Sequence, residues 1–239
     1  MSWVDYCAVN LNLDVSVRYA PVVRWIRRRC PSGTAILDVG CGPAGVGHYL
    51  KRVVVGVDKE FIANRRSRFL APVISSAMVL PFRDGSFDVT VAMDVLEHIP
   101  PEERNRFIQE LFRVSRCHIV LGVPSGPLAA RQDRELASYY FKQHGTDYTF
   151  LTEHLEYGLP TPSELENTIA RATGERGRSL KIHAIGNANL TARNIYMRLV
   201  LHRTLLAKAL YVLLGFLQYI PPVVNSGPSY RVIYFCELV

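Results

Sequence analysis

The sequence predicts an α/β fold in which helices cover both faces of a mostly parallel sheet. Apolar runs of strand length alternate with segments of helical spacing between residues 34 and 124. Pro100 and Pro101 open one of these helical segments, and acids follow in its first turn, as the helix dipole prefers. Parallel strands need such crossovers, which are nearly always right-handed, so the alternation favours a doubly wound sheet.

The predicted strands follow in order along the chain. Five apolar runs predict parallel strands at 34–39, 52–58, 72–77, 86–94 and 117–124. The pattern then loosens, because residues 126–160 are rich in glycine, proline and aromatic residues, and a capped helix is predicted over 161–173. Two further strand-like runs, 179–188 and 229–238, flank a long apolar helical stretch at 190–222.

The cysteines are scattered, without a C-x-x-C pair, at Cys7, Cys30, Cys41, Cys117 and Cys236. This spacing indicates neither a disulfide framework nor metal ligands, so no metal is expected. A reducing, cytoplasmic compartment is favoured. Residues 1–14 carry acids among their apolar residues and no basic stretch, so a signal peptide is not expected.

The net charge of +7 is unevenly distributed. Residues 16–37 contain five arginines and no acid, and residues 176–236 contain eight basic residues and no acid. Such a bias favours an anionic partner, which could be a phosphorylated substrate, a lipid surface or nucleic acid. The alternative is a solvated basic surface.

A glycine-rich turn follows the first predicted strand in the stretch TAILDVGCGPAGVGHYL, residues 34–50. Glycines let a ligand approach the backbone, and the helix that follows offers free N–H groups. Asp58 ends the second strand, where a carboxylate can bind both ribose hydroxyls of an adenosine. An acid as close to the turn as Asp38 repels a pyrophosphate but attracts an ammonium and a sulfonium. This favours S-adenosylmethionine over a dinucleotide.

Three runs, LDVGCGPAG, VVGVDK and LPFRDGSFDVTVAMDVLEHIPPEER, resemble in this order the motifs of class I S-adenosylmethionine-dependent methyltransferases. The resemblance covers residues 33 to about 124 and is closest to the small-molecule branch that includes the quinone-biosynthesis methyltransferases. It implies a Rossmann-like, seven-stranded sheet with an antiparallel last strand, in one methyltransferase domain over 1–239. The expected parts are an N-terminal helical arm (1–32), a cofactor-binding core (33–124), an acceptor-side region (125–175) and a helical insertion (190–222).

The resemblance also implies a cofactor site. Asp38, Gly40 and Gly42 would hold the methionine end of S-adenosylmethionine, Asp58 would bind the ribose, and Lys59 would lie beside the adenine. The alternative for the glycines is that they only permit a turn, and for Asp58 that it caps the end of a strand.

Asp94 and Val95, after the fourth strand, would line the cofactor and face the acceptor. Ser76, followed by Ala77, stands where the family usually has an acid that binds the adenine amino group. A serine oxygen accepts a weaker hydrogen bond than a carboxylate, and packing of Met78 on the adenine would compensate. The structural alternatives are a turn cap for Asp94 and a small strand residue for Ser76.

Two histidines are candidates for the catalytic base. A hydroxyl acceptor loses its proton as it attacks the methyl group, and histidine is the natural base near neutral pH. His98 follows the fourth strand, and His154 lies in DYTFLTEHLEYGLP, within the region expected to cover the acceptor. The two rank nearly level, and a structural role is the alternative for each. Glu153 is expected to point away from His154 on a regular element, so this pair is not expected to form a dyad.

The predicted insertion at 190–222 has three interpretations: a lid over the acceptor pocket, a helix at a membrane interface, or a dimer interface. Its longest charge-free run, Ala209–Ile220, is too short to span a bilayer. The membrane interpretation places Arg198, Arg203 and Lys208 against lipid phosphates.

The sequence therefore predicts methyl transfer from S-adenosylmethionine to a small or lipid-linked acceptor, with oxygen favoured as the methylated atom. The alternative is a non-catalytic, methyltransferase-like partner subunit. Nucleic acid is not an expected partner, because no aromatic stacking platform of the RRM or OB type is present. The expected location is cytoplasmic, with peripheral membrane contact through 190–222 as one interpretation. The sequence predicts no oligomeric state.

Overall fold

A computed structural model describes residues 13–61, 66–174, 179–215 and 227–239. In these residues the sheet has seven strands, in the order β3-β2-β1-β4-β5-β7-β6. The strands are β1 (Ile36–Val39), β2 (Val54–Asp58), β3 (Leu70–Ile74), β4 (Phe87–Met93), β5 (Ser115–Pro124), β6 (Leu180–Asn189) and β7 (Ser229–Leu238). β1 to β5 pair in parallel, and β7 runs antiparallel to both of its neighbours. The predicted sheet is confirmed.

Helices cover both faces of this sheet, as predicted. The described helices are α1 (Leu13–Arg29), α2 (Gly45–Leu50), α3 (Arg104–Val114), α4 (Gly126–His144), α5 (Thr149–Tyr157), α6 (Pro162–Gly174), α7 (Leu190–Leu201) and α8 (Leu205–Leu214). Alternate strand residues point to opposite faces. Val91 packs in a cluster with α1, whereas Ala92 packs in a second cluster with α3 and α6.

The predicted limits of the third strand, 72–77, are wrong at both ends, because β3 spans Leu70–Ile74. β3 is an edge strand, where a proline such as Pro72 is tolerated. After Ile74 the chain leaves the sheet in a turn, in which the Val79 amide donates to the Ser76 carbonyl at 3.3 Å.

The loose pattern predicted over 126–160 is largely wrong, because α4 and α5 occupy most of it. Two of the four residues that α4 buries are polar, Gln132 and Asp133, so its apolar periodicity is weak. The capped helix predicted after this region is confirmed as α6. Thr161 and Glu164 form a reciprocal capping box, in which each side chain accepts from the other's amide, at 3.3 Å and 2.7 Å.

The helical stretch predicted at 190–222 is divided into two helices. Asn189 caps α7 by accepting from the Ala192 amide at 3.0 Å, and Thr204 caps α8. Residues 216–222 of the predicted insertion and 1–12 of the predicted arm lie outside the described residues. Among the described helices, none has the length and apolar character needed to cross a bilayer.

Candidate functional site

The glycine turn lies at the carboxyl ends of β1 and β2. Gly40 and Gly42 have φ angles of +67° and +57°, in the left-handed region that favours glycine. A Cβ atom at Gly40 would lie 2.3 Å from Cγ2 of Val95, so a side chain there does not fit. The turn therefore holds its backbone directly against the loop that follows β4.

Asp38 lies fully buried beneath this turn. Its Oδ2 atom accepts hydrogen bonds from the Val46 amide at 2.6 Å and from the Tyr19 hydroxyl at 3.2 Å. Burial raises the pKa of Asp38 to about 7, although both donors act to lower it. A cationic group brought next to this carboxyl group would favour its ionised form.

Asp58 ends β2 and caps the glycine turn. Its Oδ2 atom accepts from the Gly42 amide at 2.8 Å, and Oδ1 accepts from the Lys59 amide at 2.8 Å. A carboxylate has about four lone-pair positions, so these two bonds leave acceptor capacity for ribose hydroxyls. This geometry is compatible with a residue that caps the end of the strand and with the predicted ribose-binding residue. The ribose role of Asp58 stays a prediction.

The residues predicted to contact the adenine form the turn after β3. The Ser75 amide donates to the Asp58 carbonyl at 3.0 Å, so this turn lies beside the end of β2. Ser76 is exposed, and its hydroxyl oxygen accepts from the Met78 amide at 3.2 Å. Ala77 and Met78 are half-buried against the core.

Asp94 follows β4 and is held by two arginines. Arg231 makes a two-pronged hydrogen bond to its carboxylate, and Nε of Arg18 lies 3.0 Å from Oδ2. Burial alone would raise the pKa of Asp94, but Arg18 and Arg231 hold it below its usual value. The predicted contact of Asp94 with cofactor and acceptor stays a prediction.

The structure brings the two candidate bases together. The ring centroids of His98 and His154 are 4.8 Å apart. Nδ1 of His98 lies 2.6 Å from Glu153, and Nδ1 of His154 lies 2.8 Å from Asp133. Because an ionised carboxylate can only accept, each Nδ1 carries a proton, and in the neutral form of each ring Nε2 then presents a lone pair. Glu153 therefore pairs with His98 and not with its neighbour in the sequence.

Asp133 is the centre of a buried polar network behind His154. The Tyr230 hydroxyl donates to its Oδ2 atom at 2.9 Å, and Nη1 of Arg193 lies 3.1 Å from Oδ1. The Arg193 guanidinium also lies 3.3 Å from the centroid of the Tyr230 ring. The carboxylate is thereby fixed on both sides, which orients the His154 ring. Burial opposes protonation of His154, but the Asp133 hydrogen bond and Glu97 raise its pKa.

Glu97 completes this side of the site. Its side chain is fully buried, and neither carboxylate oxygen has a hydrogen-bond partner among the described residues. Oε1 lies 3.9 Å from Nε2 of His154. Burial and the neighbouring Asp94 raise the pKa of Glu97 to about 8. Potential ligand atoms of Glu97, His98 and His154 all lie within 4.8 Å of one another. The sequence spacing gave no sign of this grouping.

Several residues of the site were not predicted. Glu97 lies in the DVLEH motif, where an acid next to apolar residues could have indicated a buried functional group. Asp133, Arg193 and Arg231 carried no such signal, because they lie in elements outside the recognised motifs.

The chain resembles known methyltransferases over its first half. A family described as "Methyltransferase domain" matches residues 37–118. The tRNA (carboxymethyluridine(34)-5-O)-methyltransferase alkbh8 of Xenopus tropicalis is 33% identical over 90 residues, which cover 36% of this chain and 14% of that protein. The 2-methyl-6-phytyl-1,4-hydroquinone methyltransferase of Synechocystis sp. is 35% identical over 124 residues, which cover 47% of this chain and 38% of that protein. The chain therefore spans less than half the length of either relative.

A solved structure extends the likeness to nearly the whole chain. The magnesium protoporphyrin IX methyltransferase of Synechocystis, crystallised with bound SAH, superposes with a TM-score of 0.54 at 15% identity. The superposition covers 93% of this chain and 82% of that one. At this identity the match supports the fold alone, and it agrees with the predicted fold class.

Proposed function

We propose that this chain, a member of the class I S-adenosylmethionine-dependent methyltransferases, methylates a hydroxyl group of a lipid-linked acceptor. One observation carries this proposal: the glycine turn above Asp38 and the cluster of His98 and His154 lie next to each other at the carboxyl ends of the parallel strands. The glycine turn contacts Val95, and the 3₁₀ turn that carries His98 begins with the next residue. α1 joins the two sites, because Tyr19 bonds to Asp38 while the preceding residue, Arg18, contacts Asp94.

S-adenosylmethionine, the cofactor of this class, supplies a methyl group already activated by its sulfonium. The chain's own residues then bind and orient. In this proposal Asp38 attracts the cationic methionine end, and the backbone of Gly40 and Gly42 allows its close approach. Asp58 accepts from the ribose hydroxyls, and the turn that begins at Ser76 receives the adenine. The low exposure of Asp38 strengthens its attraction for a cation.

The two histidine–carboxylate pairs favour oxygen as the methylated atom. A hydroxyl must lose its proton as the bond to the methyl carbon forms, and the sulfonium leaves as a neutral thioether. A hydroxyl bound at the cluster of His98 and His154 meets two Nε2 lone pairs, either of which can accept that proton. Asp133 and Glu153 hold the rings in the tautomer that leaves these lone pairs free.

Exposed leucines on α8 support a lipid-linked acceptor. Leu205, Leu206 and Leu213 are 83%, 72% and 61% exposed. The basic side chains of Arg203 and Lys208 are exposed beside them. An apolar helix face edged by cations is suited to a membrane surface with anionic lipids. Arg198, assigned to lipid phosphates from the sequence, packs its guanidinium 4.8 Å from the centre of the Tyr139 ring instead.

Vesicle co-sedimentation tests this surface. We expect binding to vesicles that contain anionic lipid at low salt, and a clear loss of binding in the double variant Leu205→Glu, Leu206→Glu. The matched control is Val53→Glu, a change at an apolar side chain that is 62% exposed and lies just before β2, outside α8. Absence of wild-type binding at low salt would contradict the membrane interpretation and leave a soluble small acceptor.

The decisive experiment for the proposed activity begins with the cofactor. We expect micromolar binding of S-adenosylmethionine in isothermal titration, abolished in Asp58→Ala, followed by methyl transfer to hydroxylated lipids in an acceptor screen. The screen includes tRNA, because one relative is named as a tRNA methyltransferase. Failure of the wild-type protein to bind the cofactor would favour the non-catalytic partner subunit instead.

A further inference from the structure

Glu97 has a buried carboxyl group whose two oxygens have no hydrogen-bond partner among the described residues. The arginines that interact electrostatically with Glu97 make their hydrogen bonds and ion pairs elsewhere, since Arg18 and Arg231 contact Asp94 and Arg104 donates to backbone carbonyl groups. Nε2 of His154 is likewise buried without a hydrogen-bond partner among the described residues. Buried polar groups in proteins nearly always have a hydrogen-bond partner, an ordered water or a metal ion, so an acid and an imidazole nitrogen that lie side by side without a protein partner indicate a third component.

We infer that Glu97, His98 and His154 bind one divalent cation. Their potential ligand atoms lie within 4.8 Å of one another, and Oε1 of Glu97 is 3.9 Å from Nε2 of His154. Ligand atoms on a common cation lie at most roughly 4.2 Å apart when each bond is about 2.1 Å long. The widest pair therefore has to close by less than about 1 Å, which side-chain rotation can supply.

The surroundings of both histidines match those of metal ligands. A ligating histidine almost always donates its other ring N–H to a carboxylate or carbonyl group, which fixes its tautomer and orientation. Glu153 accepts from Nδ1 of His98, and Asp133 accepts from Nδ1 of His154. Asp133 is itself fixed by Tyr230 and Arg193. In each ring, Nδ1 thus donates to a carboxylate, as in known metal sites, and Nε2 is left to bind the cation.

The ligand set indicates the class of cation. Two imidazoles and one carboxylate suit Mn²⁺, Fe²⁺, Co²⁺ or Zn²⁺, whereas Mg²⁺ and Ca²⁺ prefer oxygen ligands. Three protein ligands leave coordination positions open for another molecule. Resting on the proposed function, the inference places the acceptor hydroxyl there, where a cation lowers its pKa and favours release of its proton. A histidine whose Nε2 atom holds the cation cannot also accept a proton there, so in the metal-bound site the proton would pass to water, and the base role proposed above would apply to the metal-free site.

Cobalt(II) is the probe of choice, because its visible absorption reports its ligands. The full-length protein is treated with a chelator, desalted and titrated with Co²⁺, with isothermal titration in parallel. We expect one equivalent to bind and to produce a visible band. Glu97→Gln should weaken binding by at least roughly tenfold, and Glu153→Gln, beside a ligand, by roughly tenfold or more. The matched control is Glu102→Gln, an exposed acid that lies close to Glu97 in the sequence.

Titration of the same samples with S-adenosylmethionine separates the possible results. Cofactor binding by Glu97→Gln shows that this variant is folded, so a loss of Co²⁺ binding is then specific. An absence of stoichiometric Co²⁺ binding in a wild-type protein that binds the cofactor would overturn the inference and leave the proposed function standing. Binding that is equal in wild type, Glu97→Gln and Glu153→Gln would also overturn it, because the cation would then lie elsewhere.

Discussion

Asp38 gives the sharpest test of the site, because its buried carboxyl group couples stability to pH. Burial raises its pKa from 3.8 to about 7 in the folded protein. At about 1.4 kcal/mol per pH unit, this shift corresponds to roughly 4 kcal/mol. The folded state then binds a proton more tightly than the unfolded state. The stabilisation is fully present below pH 3.8 and is lost as the pH rises through about 7.

Asp38→Asn removes this titration while keeping the shape of the side chain. We expect the free energy of unfolding of the wild type, relative to Asp38→Asn, to fall by about 3 kcal/mol between pH 5 and pH 8. The amide oxygen of Asn can still accept from the Val46 amide and the Tyr19 hydroxyl. Urea unfolding at pH 5, 6, 7 and 8 measures the difference. Parallel curves for the two proteins would refute the claim that Asp38 is protonated in the folded state.

Tyr19→Phe is a control in which the pKa of Asp38 should rise further. The Tyr19 hydroxyl donates to Asp38 and lowers its pKa, so its removal extends the loss of stability to higher pH.

Cofactor binding reports on the same group, because a cation beside Asp38 favours the ionised form. At pH 6 we expect cofactor binding to release a proton, seen by isothermal titration in buffers of different ionisation enthalpy, and Asp38→Asn to abolish that release.

Three further changes probe other parts of the site. His154→Ala should lower turnover by roughly 10²-fold or more while S-adenosylmethionine binding is retained; equal turnover would remove this residue from the mechanism. Arg231→Met leaves a buried carboxylate without its main partner, so urea unfolding should show a loss of about 3–5 kcal/mol. Arg116→Met, at a side chain that is 58% exposed, should lower the free energy of unfolding by at most about 1 kcal/mol. Equal losses in Arg231→Met and Arg116→Met would contradict the claim that burial makes the Asp94 ion pair costly to break. Gly40→Ala should weaken cofactor binding, because the new Cβ meets Val95; unchanged affinity in the titration would show that the turn can move.

The sequence predicts the sheet well because strand formation leaves a local signal. Buried parallel strands are short apolar runs bounded by turns, and six of the seven predicted runs agree with the observed strands within about two residues at each end. β3 ends before its predicted limit because the chain leaves the sheet in a turn after Ile74, and no glycine or proline marks that turn in the sequence. α4 was missed because two of its four buried positions are polar, which weakens the apolar periodicity on which the prediction depends.

The candidate site is predictable only where its residues share a motif. Asp38, the glycine turn and Asp58 lie within one β-α-β unit, so their spacing is informative. The partners of Asp94 and His154 come from distant elements, since Arg231 follows Asp94 by 137 residues. A buried ion pair between remote elements leaves no periodicity in either segment. For the same reason, the basic bias of residues 176–236 overstated the free positive surface, because Arg193 and Arg231 are buried against acids from elsewhere in the chain.

The buried ion pairs of Asp94 and Asp133 with arginines are better explained by function than by stability. Replacing a buried ion pair by apolar residues is often neutral or stabilising, so a cluster that buries Asp94 and Asp133 with their arginine partners costs the fold more than apolar packing would. Such clusters with perturbed pKa values concentrate at functional sites. Asp133 and His154 lie outside the matched residues 37–118. All residues proposed to bind the cofactor lie within that range, whereas these two belong to the proposed acceptor side. Changes in α4 and α5 should accordingly alter the choice of acceptor without altering the affinity for S-adenosylmethionine.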